Sequence, residues 1–126
     1  MAHATTKLSV TGIDHVVLHV NDLQRSKRFY VDLLGFEFVH EGGSNCFLRC
    51  GTQQVALFER KDTDLHAGAE MNHLAFQLAA GSSEDVKAIL EAEQIAVSGR
   101  PGDDHCIYFN DPDGHRLQLL TAREQH

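Results

Sequence analysis

The sequence lacks tryptophan, has only two prolines, and contains no hydrophobic run of the roughly 18 residues that a membrane-spanning helix needs. Its first residues also lack the apolar core of a secretory signal peptide. Basic residues are in the minority, since 11 Lys and Arg stand against 18 Asp and Glu, which gives a net charge of −7. These deficits argue against a membrane protein and against a protein that binds nucleic acid through a cationic face.

Cysteine is scarce as well: there are three, an odd number, with no Cys-x-x-Cys motif. Cys46 and Cys50 occur in a predicted strand, where they would lie about 13 Å apart on one face, beyond the reach of a disulfide. We therefore expect a reduced, cytoplasmic protein. A chain of 126 residues, 42% of them hydrophobic, predicts one globular domain over residues 1–126.

The chain contains an internal repeat. Segment 13–20 (IDHVVLHV) matches segment 71–78 (MNHLAFQL), and each has a histidine at its third position. A capped helix follows each predicted strand: Asp22 begins one over 23–34, and Ser82 begins one that ends near residue 93. Three short strands are predicted after each helix, at about 37–41, 45–50 and 53–59 and again at about 95–98, 105–109 and 115–121.

This order of elements predicts an α+β fold of two βαβββ modules, one over about 11–60 and the other over about 70–121, joined by a polar linker at 60–70. The tetrapeptide at 111–114 (DPDG) predicts a type I turn between the last two strands. His115, which follows this turn, is expected at the surface.

Strand alternation places the apolar side chains of the two repeat strands under the helices and their histidines on the opposite faces. Two equivalent sheets would aim His15 and His73 into one concavity, and Gln118 of the last strand can point into the same space. Two imidazoles and an oxygen donor can hold a divalent metal with open positions for a substrate. A single strand histidine is more often a hydrogen-bonded residue than a ligand, but the repeat favours a metal site.

Two further side chains are candidates for this site. Glu59 closes the fourth predicted strand and is either a ligand or base, or a solvated strand end. Tyr108 precedes the DPDG turn and is either a phenol that contacts substrate, or a packed aromatic residue.

The segments 12–23 (GIDHVVLHVNDL), 29–36 (FYVDLLGF) and 108–119 (YFNDPDGHRLQL) resemble the vicinal oxygen chelate superfamily. This superfamily contains glyoxalase I, extradiol dioxygenases, fosfomycin-resistance thiol transferases and bleomycin-resistance proteins. The resemblance implies a cup-shaped, partly open eight-stranded barrel, a homodimer, and a small-molecule substrate with adjacent oxygens. It also implies a divalent metal from the set zinc, nickel, manganese and iron.

The resemblance assigns metal ligation to His15 and His73. Gln118 stands where a carboxylate ligand is usual, and a neutral amide should bind the metal more weakly, although glutamine serves as a ligand in some glyoxalase I proteins. The pattern is closest to the fosfomycin thiol transferases. However, Val17 replaces their hydroxyl residue, and Ser98 and Gly102 stand at their anion-binding positions, so fosfomycin is not the expected substrate.

Two functions follow from these observations. The first is a metalloenzyme that stabilises an oxyanion or enolate, with Glu59 or Tyr108 as the acid–base group. Its reaction is of lyase or isomerase, thiol-transferase or dioxygenase type, and Gln118 counts against the last. The second is a metal-free protein that sequesters a small molecule or drug, as bleomycin-resistance proteins do. The acidic net charge suits a cationic drug, whereas 7% aromatic residues do not suit an aromatic groove.

Overall fold

The structure, a computed structural model, describes residues 9, 11–61, 71–100 and 103–121. The first half contains β1 His15–Val20, α1 Leu23–Arg28, a π-helical turn Phe29–Leu33, β2 Glu37–Gly42, β3 Asn45–Cys50 and β4 Gln53–Glu59. The second half contains β5 Leu74–Gln77, α2 Ser83–Ala92, β6 Ser98–Arg100, β7 Asp103–Asn110 and β8 Arg116–Leu120.

The eight strands form two four-stranded sheets with the same internal order. Sheet one runs β1-β4-β3-β2 and sheet two runs β5-β8-β7-β6. In each sheet the first strand pairs in parallel with the last strand of its own module, and the other pairs are antiparallel. The α+β class and the two βαβββ modules predicted from the repeat are confirmed. Of the predicted linker, residues 62–70 lie outside the described ranges.

Both helices begin at the predicted caps. The Asp22 carboxylate accepts a hydrogen bond from the backbone N–H of Arg25 at 3.1 Å, and Ser82 Oγ accepts one from the N–H of Asp85 at 3.1 Å. These bonds satisfy backbone donors that a helix start leaves without partners. The first helix differs from the prediction after Arg28, where it widens into the π-helical turn. Gly35 then leaves the helix with a φ of 81°, a value that glycine adopts without strain.

One hydrophobic core joins the two modules. Sheet one contributes Leu18, Val20, Leu48 and Leu57, and sheet two contributes Ile107, Phe109, Leu117 and Leu119. Aromatic rings from the two halves meet in this core. The ring centroids of Phe36 and Phe76 are 5.2 Å apart, and those of Phe29 and Phe109 are 6.3 Å apart. The modules therefore pack through their helix-covered sides. The opposite side of each sheet, which we call its outward face, points away from the shared core.

Strand β6 begins three residues later than predicted. Ile95 and Val97, which suggested a strand from residue 95, are half-buried loop residues that pack against the core. Pairing begins only at Ser98, which lies opposite Tyr108. Cys46, Cys50 and Cys106 form no disulfide bond among the described residues. None of the helices in the described ranges is long and apolar enough to cross a membrane.

Candidate functional site

The DPDG turn has an exposed tip, but its first residue, Asp111, and the following His115 form a buried hydrogen-bond network. The Asp111 carboxylate accepts hydrogen bonds from Tyr30 Oη at 2.7 Å, His115 Nδ1 at 2.8 Å and the His115 N–H at 2.8 Å. It also accepts the N–H of Asp113 at 3.0 Å. The expected surface position of His115 is wrong, because its side chain is only 2% exposed. A buried carboxylate requires such donors, and the ring supplies one of them.

Asp113 of the same turn fastens the second module to the start of α1. Its carboxylate accepts hydrogen bonds from the N–H of Asn21 at 2.9 Å, Ser26 Oγ at 3.1 Å and Arg25 Nη2 at 3.1 Å. We call the contacts of Asp111 and Asp113 with the first module the turn clamp. The sequence indicated the turn but not the clamp, because nothing in the local pattern shows which distant donors a turn carboxylate meets.

His15 lies on the outward face of sheet one and is held from two sides. Its Nδ1 is 2.9 Å from Asp14 Oδ2, and its ring makes an edge contact with the Phe47 ring at 6.3 Å. Phe47 belongs to β3, so its ring reaches His15 across β4, above Ala56, which is fully buried. Phe47 also stacks on His40 at 4.8 Å. These aromatic neighbours were not predicted as site residues, although strand alternation places Phe47 on the His15 face.

His73 has the same setting on the outward face of sheet two. Its Nδ1 is 2.8 Å from Asn72 Oδ1, and its ring meets the Tyr108 ring edge-on at 5.5 Å. Tyr108 comes from β7, the counterpart of the strand that carries Phe47. In both modules, therefore, the oxygen of the preceding residue engages Nδ1. When Nδ1 carries the proton in such a bond, Nε2 has a free lone pair for a metal.

Gln118 shares the outward face of sheet two with Tyr108. It lies in register with Ala75 on one side and Tyr108 on the other, and it is 4% exposed. Its Nε2 donates a hydrogen bond to Cys106 Sγ at 2.7 Å. The counterpart position in sheet one, between Val17 and Phe47, is Ala56, which has no donor atom. Only the second module therefore offers an oxygen ligand at this position.

The structure brings His73, Tyr108 and Gln118 onto one face but leaves His15 on the other sheet. No ring contact or hydrogen bond joins His15 to His73 in the part of the chain that the structure describes. Nor do three or more His, Cys, Asp or Glu side chains converge there. Two cavities, of about 870 and 550 Å³, lie between the modules; Tyr108 borders the larger one, and neither His15 nor His73 lines either of them. The contacts of the described residues thus do not link the two histidines, and a concavity shared by His15 and His73 stays a prediction.

Glu59 lies near the helix rather than near either histidine. Its Oε2 accepts the N–H of Leu23 at 2.8 Å, at the start of α1, and lies 3.6 Å from Lys61 Nζ. In β4, Glu59 is paired with Val20, which is buried in the core. The carboxylate thus points to the helix-covered side of sheet one, opposite to the His15 face.

A model of the Glyoxalase/Bleomycin resistance protein/Dioxygenase superfamily matches residues 12–119. The chain belongs to this superfamily. The resemblance found in the sequence motifs is thereby confirmed. A metallothiol transferase FosB from Staphylococcus epidermidis is 31% identical over 118 residues, which cover 90% of this chain and 85% of that protein. A glutathione transferase FosA from Serratia marcescens is 30% identical over 119 residues, which cover 89% and 84%.

Among solved structures, the genomically encoded fosfomycin resistance protein FosX from Listeria monocytogenes has a TM-score of 0.75. The match covers 90% of this chain and 95% of that one at 21% identity, and it supports the superfamily fold alone.

Proposed function

We propose that this superfamily member is a metal-dependent thiol transferase that acts on a small electrophile with adjacent oxygens. The matched settings of His15 and His73 carry the proposal, because both rings have Nδ1 engaged by a neighbouring oxygen and Nε2 available. The relatives named as metallothiol and glutathione transferases support a metal cofactor and a thiol reactant.

His15, His73 and Gln118 are the proposed ligands. Two imidazole nitrogens and one amide oxygen suit divalent zinc, nickel, manganese or iron, and three protein ligands leave positions for a substrate. A bound ion of this kind polarises a substrate oxygen and stabilises the negative charge that develops on it.

We propose further that the site is completed by a second copy of the chain. The two outward faces point away from the shared core, so one chain alone does not oppose them. Next to His15, the β1 side of sheet one exposes Ile13 by 64% and Val17 by 41%, and a second copy would remove this apolar surface from water. In a symmetric homodimer, sheet one of each copy would face sheet two of the other. His15 of one copy would then meet His73 and Gln118 of the other.

Tyr108 is the proposed acid, because its ring touches His73 and shares the face with Gln118. In the proposed reaction, the thiol sulfur bonds to the electrophilic carbon while a carbon–oxygen bond breaks with its electron pair. Tyr108 gives its proton to the departing oxygen, and the thiol proton restores the phenol. The sum is the addition of a thiol across a carbon–oxygen bond, without an oxidant or reductant. Glu59 is not favoured for this role, since its carboxylate is engaged at the start of α1.

The wall beside His15 favours a substrate with a planar apolar part. Phe47 lies between the rings of His15, His40 and Phe58, at centroid distances of 6.3, 4.8 and 6.1 Å. Flat apolar groups pack well against such rings, whereas a phosphonate requires cationic donors. This wall distinguishes the proposed substrate from fosfomycin.

Mixing two inactive variants tests the proposal. His15→Ala and His73→Ala should each lose zinc or nickel binding as pure proteins. In a mixed dimer, one site would carry both substitutions and the other would carry none. Since half of randomly formed dimers are mixed and each regains one of two sites, refolding the variants together should restore about a quarter of the wild-type metal content. No recovery would contradict a site shared between copies, and wild-type protein without metal affinity would contradict a metalloenzyme.

A second candidate is a metal-free protein that binds a small molecule between the same faces. Two observations favour it: Gln118 has no charge to attract a cation, and its amide already bonds to Cys106. Metal analysis of protein purified without a histidine tag separates the two functions. A binding protein should hold its ligand equally well after treatment with a chelator, whereas the proposed transferase should lose activity until metal is restored.

A further inference from the structure

The two ends of the Gln118 side chain are not equivalent toward a metal. The amide oxygen Oε1 can ligate, whereas the NH₂ group has no lone pair available for coordination. A carboxylate presents an oxygen at either end and does not meet this problem. A glutamine ligand therefore needs something to set its orientation.

Cys106 supplies that orientation in the structure. Its Sγ accepts the hydrogen bond from Gln118 Nε2 at 2.7 Å, and Cys106 itself is only 3% exposed. Cys106 lies opposite Leu120, further along β8 from Gln118. His73 lies in the other direction, since it precedes Leu74, which pairs with Leu117. An amide whose nitrogen points to Cys106 therefore turns its oxygen back toward the side of His73.

The Gln118 oxygen has no competing hydrogen bond among the described residues. Every side-chain oxygen and nitrogen that is fully buried in the described ranges has a hydrogen-bond partner. Oε1 of Gln118 makes no hydrogen bond to the described residues, so it keeps part of the small exposed surface of this side chain.

We infer that Cys106 is a positioning residue that selects Oε1 of Gln118 as the atom offered to the metal. The inference rests on the proposed function, because it assumes that Gln118 is a ligand. The sulfur acts as a hydrogen-bond acceptor and is not itself a ligand. Its role follows from the presence of glutamine at position 118, and the same thiol would be dispensable beside a carboxylate.

The hydrogen bond can be tested without metal. The side-chain NH₂ resonances of Gln118, identified by their loss in Gln118→Glu, should shift in Cys106→Ala and stay close to wild type in Cys106→Ser, whose hydroxyl accepts the same N–H. If Cys106→Ala leaves these resonances unchanged, the hydrogen bond is absent and the inference is refuted. This result would leave the proposed function unaffected.

Metal affinity tests the consequence in a double-mutant cycle with Co²⁺ and Zn²⁺. Cys106→Ala should weaken binding about tenfold or more in the wild-type background, the usual range for losing a group that orients a ligand. In the Gln118→Glu background the same change should weaken binding less than about twofold, because either oxygen of the carboxylate can ligate. Cys106→Ser should retain most of the affinity. Cys46→Ala, which removes another buried thiol, should lower stability without changing affinity.

Four results of the metal-binding experiments would overturn the inference. An equal loss of affinity in both backgrounds, or no loss in either, would show that Cys106 does not act through the amide. A thiolate-to-cobalt charge-transfer band that disappears in Cys106→Ala would make Cys106 a ligand itself. If the wild type binds no metal, both the proposed metalloenzyme function and the positioning role of Cys106 are wrong, even if the NMR experiment detects the hydrogen bond.

Discussion

The substitution Tyr30→Phe isolates one bond of the turn clamp. The Tyr30 side chain is fully buried, and its hydroxyl donates to Asp111 Oδ2 at 2.7 Å. Phenylalanine keeps the ring and its packing against Phe29 and Phe36. The change therefore removes a hydrogen bond between the modules and very little else.

The expected cost follows from the nature of the acceptor. A hydrogen bond to a charged group contributes about 1.5–3 kcal/mol, and the Asp111 carboxylate keeps its three other donors. We therefore expect the free energy of unfolding to fall by about 2 kcal/mol. For a domain of this size, each kcal/mol corresponds to about 4 °C, so the melting temperature should fall by about 8 °C at pH 7.

Thermal and urea unfolding followed by circular dichroism measure this change. Tyr108→Phe is the matched control, because the Tyr108 hydroxyl makes no hydrogen bond to the described residues and its loss should cost less than about 0.5 kcal/mol. A melting temperature of Tyr30→Phe within about 2 °C of the wild type would refute the reasoning. It would mean that the clamp bond only compensates for burying the two polar groups.

Three further predictions concern pH, metal and core. Burial, reinforced by the Asp111 carboxylate, raises the pKa of Tyr30 well above its usual value near 10. Above pH 10 the unfolded chain loses this proton while the folded chain keeps it, so the stability advantage of wild type over Tyr30→Phe should shrink from pH 9 to 11 in urea titrations. Gln118→Glu should tighten zinc, nickel or manganese binding in calorimetric titrations; equal or weaker binding of all three would show that Gln118 does not point at the metal. His15→Ala should abolish metal binding without unfolding the chain. Its control, Leu18→Ala, should lower the free energy of unfolding by about 2–5 kcal/mol and leave the metal affinity unchanged. If His15→Ala unfolds the protein, His15 is a structural residue.

The sequence predicted the elements and the faces because these depend on local patterns. The repeat, the caps at Asp22 and Ser82, and the alternation of β1 all act over a few residues. The predicted start of β6 was wrong because Ile95 and Val97 pack against the core from a loop and do not pair with a neighbouring strand. Periodicity alone does not distinguish these two uses of an apolar residue.

The candidate site was predicted less completely because its parts meet over long distances in the chain. The outward positions of His15, His73 and Gln118 follow from strand alternation. The bond between Cys106 and Gln118 depends on the register of β7 and β8. The Asp111 carboxylate that bonds to His115 also accepts a hydrogen bond from Tyr30 of the other module. The packing of the modules through their helix-covered sides has no counterpart in any local pattern.

The turn clamp also has a consequence for the order in which the chain folds during synthesis. The N–H of Asn21, which precedes α1, finds its acceptor in Asp113, 92 residues later. The first module leaves the ribosome long before that acceptor exists, so its helix start remains incomplete until almost the whole domain has been made. Contacts of such sequence separation slow folding and delay it until the later strands of the domain have been synthesised. We therefore expect the nascent first module to be sensitive to proteases until residues 111–113 emerge, and then to become protected in one cooperative step.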